Sequence, residues 1–98
     1  MTIKKTQNGS AMEIALKGRL DTESAPQLDK ALEDVLKELD SLTLDCAEME
    51  YISSAGLRSI LKAKRGMKYG GTVTVKNANE IVQEVFTVTG FVDYVTLA

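Results

Sequence analysis

The chain predicts an α/β domain built on a mixed β-sheet. Three observations carry that expectation: apolar alternation of period two near the start, later segments of period near 3.6, and short β-branched or apolar runs set between them. Strands that alternate with helices imply parallel pairing and right-handed crossovers, after an antiparallel opening hairpin. The expected order is ββαβαβαβ, with three to four helices packed mainly on one face of the sheet. At 98 residues, one core and a single domain over 1–98 are expected.

Residues 2–8 and 11–18 form the hairpin. In AMEIALKG, Met12, Ile14 and Leu16 alternate with Glu13, Ala15 and Lys17, as a half-buried strand requires. NGS between the two runs supplies the asparagine and glycine of a tight connection. From Ser24 the spacing becomes helical, and Ala25, Leu28, Leu32, Val35, Leu36 and Leu39 make one apolar stripe. Ser24 is the expected N-cap, with Gln27 three residues on as its capping-box partner and Pro26 in the first turn. The opposite face carries Asp29, Glu33, Asp34 and Glu38 and reads as solvated.

SLTLDCA at 41–47 reads as a buried strand, since it lacks clean alternation. Helical spacing returns from Ala55 to Tyr69, with Leu57, Ile60, Leu61 and Met67 inward and Gly70-Gly71 as the stop. TVTV at 72–75 is a β-branched strand. Asn79 caps a short helix with Ile81, Val82, Val85 and Phe86 inward. Gly90 takes its C′ position, and Phe91 closes the end. FVDYVTL is the last strand.

Composition narrows the function. Hydrophobic residues are 44% and charged residues 27% of the chain, as in ordinary globular domains. A net charge of −2 gives no reason to expect nucleic acid or an anionic membrane as partner. The chain has no histidine and one cysteine, Cys46. Ser-His-Asp and Cys-His catalysis are thereby excluded, as are histidine-bearing metal sites. Neither a cofactor nor a metal is expected. Cys46 cannot form an internal disulfide and reads as a small buried hydrophobe. No signal-peptide-like run or span of ~20 apolar residues is present, so membrane insertion is not expected and the cytoplasm is the expected location.

YISSAGLRSIL at 51–61 holds the residues of most chemical interest. Ser54 falls just before the expected helix, where its Oγ can cap an orphan N–H. A phosphate there would face the positive end of the helix dipole, so it would alter the surface without breaking the fold. As a nucleophile Ser54 lacks a base: SSAG is not a nucleophile elbow, and Lys62 and Lys64 lie too far into the helix. Asp45 is read as structural or interfacial, because the early strands offer no acidic pair and the last strand no lysine. Arg58, Lys62 and Arg65 make a basic stripe, solvated or available to an acidic partner.

GRLDTESAPQLDKAL, LDCAEMEYISSAGLRSIL and GGTVTVKNANEIVQEVFTVTGFVDYV together resemble the STAS domain family, in particular its anti-sigma factor antagonists. The most specific pieces are GRLD at 18–21 and YISSAGLR at 51–58. The resemblance implies a non-enzymatic bacterial regulator of transcription that works by partner switching. Its unphosphorylated form binds an anti-sigma factor serine kinase and releases a sigma factor; phosphorylation blocks binding, and a PP2C-type phosphatase resets the cycle.

Relatives carry an aspartate and two hydroxyl residues before the glycine. Aligned on Gly56, these positions are Ser53, Ser54 and Ala55, so Ser54 is the implied phosphoacceptor and Ser53 the second candidate. Asp21, Thr22, Ser53, Ser54, Ala55, Gly56, Arg58 and Lys62 form the implied partner-binding set. Asp21 either orients the loop, contacts the kinase or makes a simple turn. The alternative is a STAS subunit of a transport or sensory complex that docks without sigma-factor control.

Overall fold

The computed structural model describes residues 1–98. Strands β1 (Thr2–Asn8) and β2 (Ala11–Leu20) form the antiparallel hairpin. Helix α1 (Ala25–Leu32) follows, then a 3-10 turn at Leu36–Glu38 and strand β3 (Ser41–Ile52). Helix α2 (Ser54–Gly66), strand β4 (Thr72–Lys76) and helix α3 (Glu80–Val88) complete the alternation. A 3-10 turn at Phe91–Asp93 leads into β5 (Thr96–Leu97). The sheet order is β1-β2-β3-β4-β5, antiparallel at the first pair and parallel at the rest.

The core explains why the sheet is clothed on one side. Met12, Ile14 and Leu16 of β2, Leu42, Leu44 and Cys46 of β3, and Val73 and Val75 of β4 are buried. They share a face that packs against Leu28 and Leu32 of α1, Leu57, Ile60 and Ala63 of α2, and Val82 and Phe86 of α3. Their neighbours in register, such as Glu13, Thr43 and Thr74, line the polar face. The Cys46 thiol is pushed up to about 12 by burial, with the charge of Asp45 adding to the effect. A thiol so rarely ionised is chemically quiet.

Four expectations about the elements need correction. The strand expected to end at Ala47 runs on to Ile52. Pairing moves from Ala15–Asp45 to Lys17–Glu48, and from Gly18–Met49 to Arg19–Tyr51. At each step β3 advances one residue more than β2. These bulges shift the phase of inward residues from Cys46 to Met49 to Ile52, so the tail of the strand shows no alternation.

The first helix stops at Leu32 instead of reaching Leu39. Its continuation tightens so that Asp40 N can donate to Ser10 O (2.8 Å) and Lys68 N to Leu39 O (3.3 Å), which a straight helix would prevent. The last strand is only Thr96–Leu97, because FVD forms the 3-10 turn. Two residues assigned inward also face out: Ile81 is 61% exposed, one position off the Val82–Phe86 line, and Leu61 is only half-buried.

Both boundaries of α3 follow expectation. Asn79 Oδ1 accepts from Val82 N at 2.8 Å. Gly90 adopts φ +77°, the left-handed C′ conformation that glycine reaches without a Cβ clash.

Candidate functional site

The site lies where the chain leaves β2 and β3 side by side. Leu20 and Ile52 are register partners, and Ser53 N donates to Leu20 O at 2.9 Å. The loop carrying Asp21 and Thr22 is thus tied to the start of α2. Asp21 makes an Asx-type turn: its Oδ1 accepts from Glu23 N (3.0 Å) and Ser24 N (3.1 Å). Arg19 Nε lies 3.8 Å from Asp21 Oδ2, and its guanidinium stacks 4.5 Å above the Tyr51 ring. The turn role of Asp21 is therefore present, on the same end of the sheet as the serines.

The capping-box expectation for Ser24 is not met. Its Oγ turns back to donate to Arg19 O (2.6 Å) and accepts from Asp21 N (2.9 Å), and it makes no cap bond to α1. The polar loop upstream satisfies this buried hydroxyl better than the exposed first turn would.

The cap of α2 belongs to Ser53, not Ser54. Ser53 is in extended conformation, and its Oγ accepts from Gly56 N at 3.4 Å. Ser54 is the first helical residue and exposed. The helix begins one residue earlier than the expected Ala55, so capping and exposure fall to different serines. Ser53→Ala is expected to lower stability by about 0.5–1 kcal/mol, the lower part of the cap range because the bond is long. Ser54→Ala should leave the urea midpoint unchanged, and comparing the two midpoints checks the assignment.

Gly56, expected on the binding surface, is buried. A Cβ there would stand 2.8 Å from Leu20 Cγ and from Leu20 O, and 2.9 Å from Ile52 Cγ1. Its smallness lets α2 sit down on the ends of β2 and β3. Ala55 is half-buried and Thr22, Arg58 and Lys62 are exposed.

These last four line an open groove of ≈ 510 Å³ between α1 and α2, together with Ala25, Pro26, Asp29, Ser59, Leu61 and Arg65. Ser59 Oγ lies 3.5 Å from Ala25 O, across the contact between the two helices. Asp29, Pro26 and Leu61 were not legible as groove residues. Leu61, four residues from Leu57, reads from helical spacing as inward.

Asp45 stands apart from this end. Its Oδ1 accepts from Asn77 Nδ2 and Ala47 N, each at 3.1 Å, a structural role. The Asn77 bond, then that from Ala47, holds its carboxyl below the usual value.

Asp21 is likewise lowered, chiefly by the Ser24 N–H, against an opposing desolvation, with the Glu23 N–H, the Ser24 hydroxyl and Arg19 adding smaller effects. A carboxyl with a depressed folded-state pKa contributes stability above the unfolded value of ~3.9, lost as pH falls through the folded value. Stability should therefore begin to fall below pH ~4, and less steeply in Asp21→Asn. Urea titrations between pH ~2 and ~6 measure the slope; identical slopes would count against the turn as a linked group.

Comparisons with known proteins agree with this architecture. A family model described as "Mlab, STAS domain" matches residues 3–97. The anti-sigma-B factor antagonist of Bacillus subtilis (strain 168) is 26% identical over 93 residues, covering 94% of this chain and 85% of that protein. An anti-sigma factor antagonist from Mycobacterium paratuberculosis has the same fold, with a TM-score of 0.86 at 18% identity over 98% of this chain and 83% of that one. So has the Bacillus cell fate determinant SpoIIAA in its phosphorylated form, with a TM-score of 0.77 at 16% identity over 99% and 91%.

Proposed function

The chain belongs to the STAS domain family, and on that premise we propose that it is an anti-sigma factor antagonist switched by phosphorylation of Ser54. Unphosphorylated, it binds an anti-sigma factor serine kinase in the bacterial cytoplasm and so frees a sigma factor for transcription. The kinase moves the terminal phosphoryl group of ATP to Ser54 Oγ; the hydroxyl proton departs and ADP is the leaving group. A PP2C-type phosphatase hydrolyses the ester to the alcohol and inorganic phosphate. The chain itself is a regulator and not an enzyme.

One observation carries this reading: Ser54 is exposed at the first position of α2 while Ser53 makes the cap. Modification of Ser54 leaves the cap in place, and the dipole end of α2 favours the added charge. The antagonist name of the Bacillus subtilis relative supports the same role. Asp21, Thr22 and the groove wall beyond Ala55 form the surface offered to the kinase.

The test is mass spectrometry of the protein isolated from its own cells, with its bound partners. A phosphate on Ser54, and an anti-sigma factor retained only by the unmodified form, are expected. Phosphate confined to Ser53, or a transport ATPase as the stable partner, would overturn the reading.

A further inference from the structure

Arg58 lies one helical turn beyond Ser54, and the i to i+4 spacing brings their side chains onto one face of α2. Arg58 is exposed and belongs to none of the molecule's five ion pairs. It lines the α1–α2 groove with Lys62 and Arg65. Against these three cations the groove sets one carboxylate, Asp29, already 3.8 Å from Lys62. The chain as a whole carries −2, so this concentration of positive charge is local. Between the cations the wall is small or apolar, with Ala25, Pro26, Ala55 and Leu61.

We infer that the groove receives an acidic segment of the partner that also carries an apolar side chain, and that Arg58 is the cation for which the partner's carboxylate and the Ser54 phosphate compete. The inference rests on the phosphorylation reading and deepens it by naming the group through which the phosphate acts. In the free alcohol form Arg58 offers a planar fork, suited to bidentate capture of a carboxylate. Once esterified, Ser54 presents a near-dianion four residues away on the same helix. Its effective concentration at Arg58 far exceeds that of any second protein. The incoming acid then meets an occupied guanidinium and a like charge at the head of the groove. Apolar contacts to Leu61 persist in both forms, so the phosphate removes the electrostatic part of the recognition.

Phosphoserine placed at position 54 by genetic encoding allows Arg58 to be tested without any partner. The 31P resonance titrates with a second pKa near 6 in free phosphoserine. It should fall lower in the otherwise unchanged chain than in Arg58→Ala, by roughly half a unit for an exposed pair. Arg58→Lys should recover part of the difference; equal values in all three chains overturn the pairing.

The partner arm uses an anti-sigma factor that binds the unphosphorylated chain. Arg58→Ala should weaken that binding by about tenfold or more. Phosphorylation of Arg58→Ala should then cost a smaller factor than phosphorylation of the unchanged chain. Strictly multiplicative losses, or an unaffected Arg58→Ala, overturn the competition. A chain whose affinity ignores phosphorylation strikes at the Ser54 reading instead, and the 31P comparison still decides Arg58 by itself.

Discussion

Ser54→Asp is expected to lose anti-sigma factor binding by about a hundredfold or more while remaining folded. The carboxylate stands on an exposed first-turn position of α2, where a negative charge is neutral to mildly stabilising, by up to ~1 kcal/mol. Within a complex the same charge takes Arg58 from the partner's carboxylate, which is then desolvated without its counter-ion. Leaving one charge unpaired in a buried interface costs ~3–5 kcal/mol, and each ~1.4 kcal/mol is a factor of ten in affinity. Ser54→Ala should bind at least as tightly as the unsubstituted chain and resist regulation. Isothermal titration of the three chains against the anti-sigma factor measures this; equal affinity for Ser54→Asp would sink the switch.

Gly56→Ala should be the most damaging conservative change in the site. The added methyl meets the Leu20 carbonyl oxygen at 2.8 Å and the Leu20 and Ile52 side chains at 2.8 and 2.9 Å. Side-chain atoms can turn away, but the carbonyl also accepts from Ser53 N and is fixed by the β2–β3 register. Overpacking of this sort costs ~1–3 kcal/mol or more, against at most ~1 kcal/mol gained from replacing a helical glycine. A net loss of about 2 kcal/mol is expected, or a fall of roughly 10 °C in Tm for a domain of this size. Because the strain lands on the tie between the two loops, binding should weaken as well. A Gly56→Ala chain that melts at or above the original would refute the close approach.

The two results separate surface from scaffold within three residues, and the sequence shows only part of that division. The alternation of periods two and 3.6 identified the layers because inward residues of β2, β4 and α3 follow regular spacing. It failed along β3, where two bulges each insert a residue and break the phase. The helix also starts one position before its first expected residue, which made Ser54 look like the cap. Ser24 misled for a related reason: its hydroxyl serves the loop around Asp21 instead of the helix ahead. Arg58 and Lys62 were legible as a stripe from helical spacing alone. Their shared groove was not, since Pro26 and Asp29 reach it only through the packing of α1 on α2, a long-range fact with no local signature.

The sealed thiol in the middle strand has a practical side. Cys46 is 1% exposed and ionises only near 12, so thiol-directed dyes applied at neutral pH have nothing native to attack. A cysteine introduced at fully accessible Tyr69, well past the serine mouth of the second helix, would then carry a single fluorophore. Partner capture and release could be followed by light on the natural background, with the original sulfur left in place.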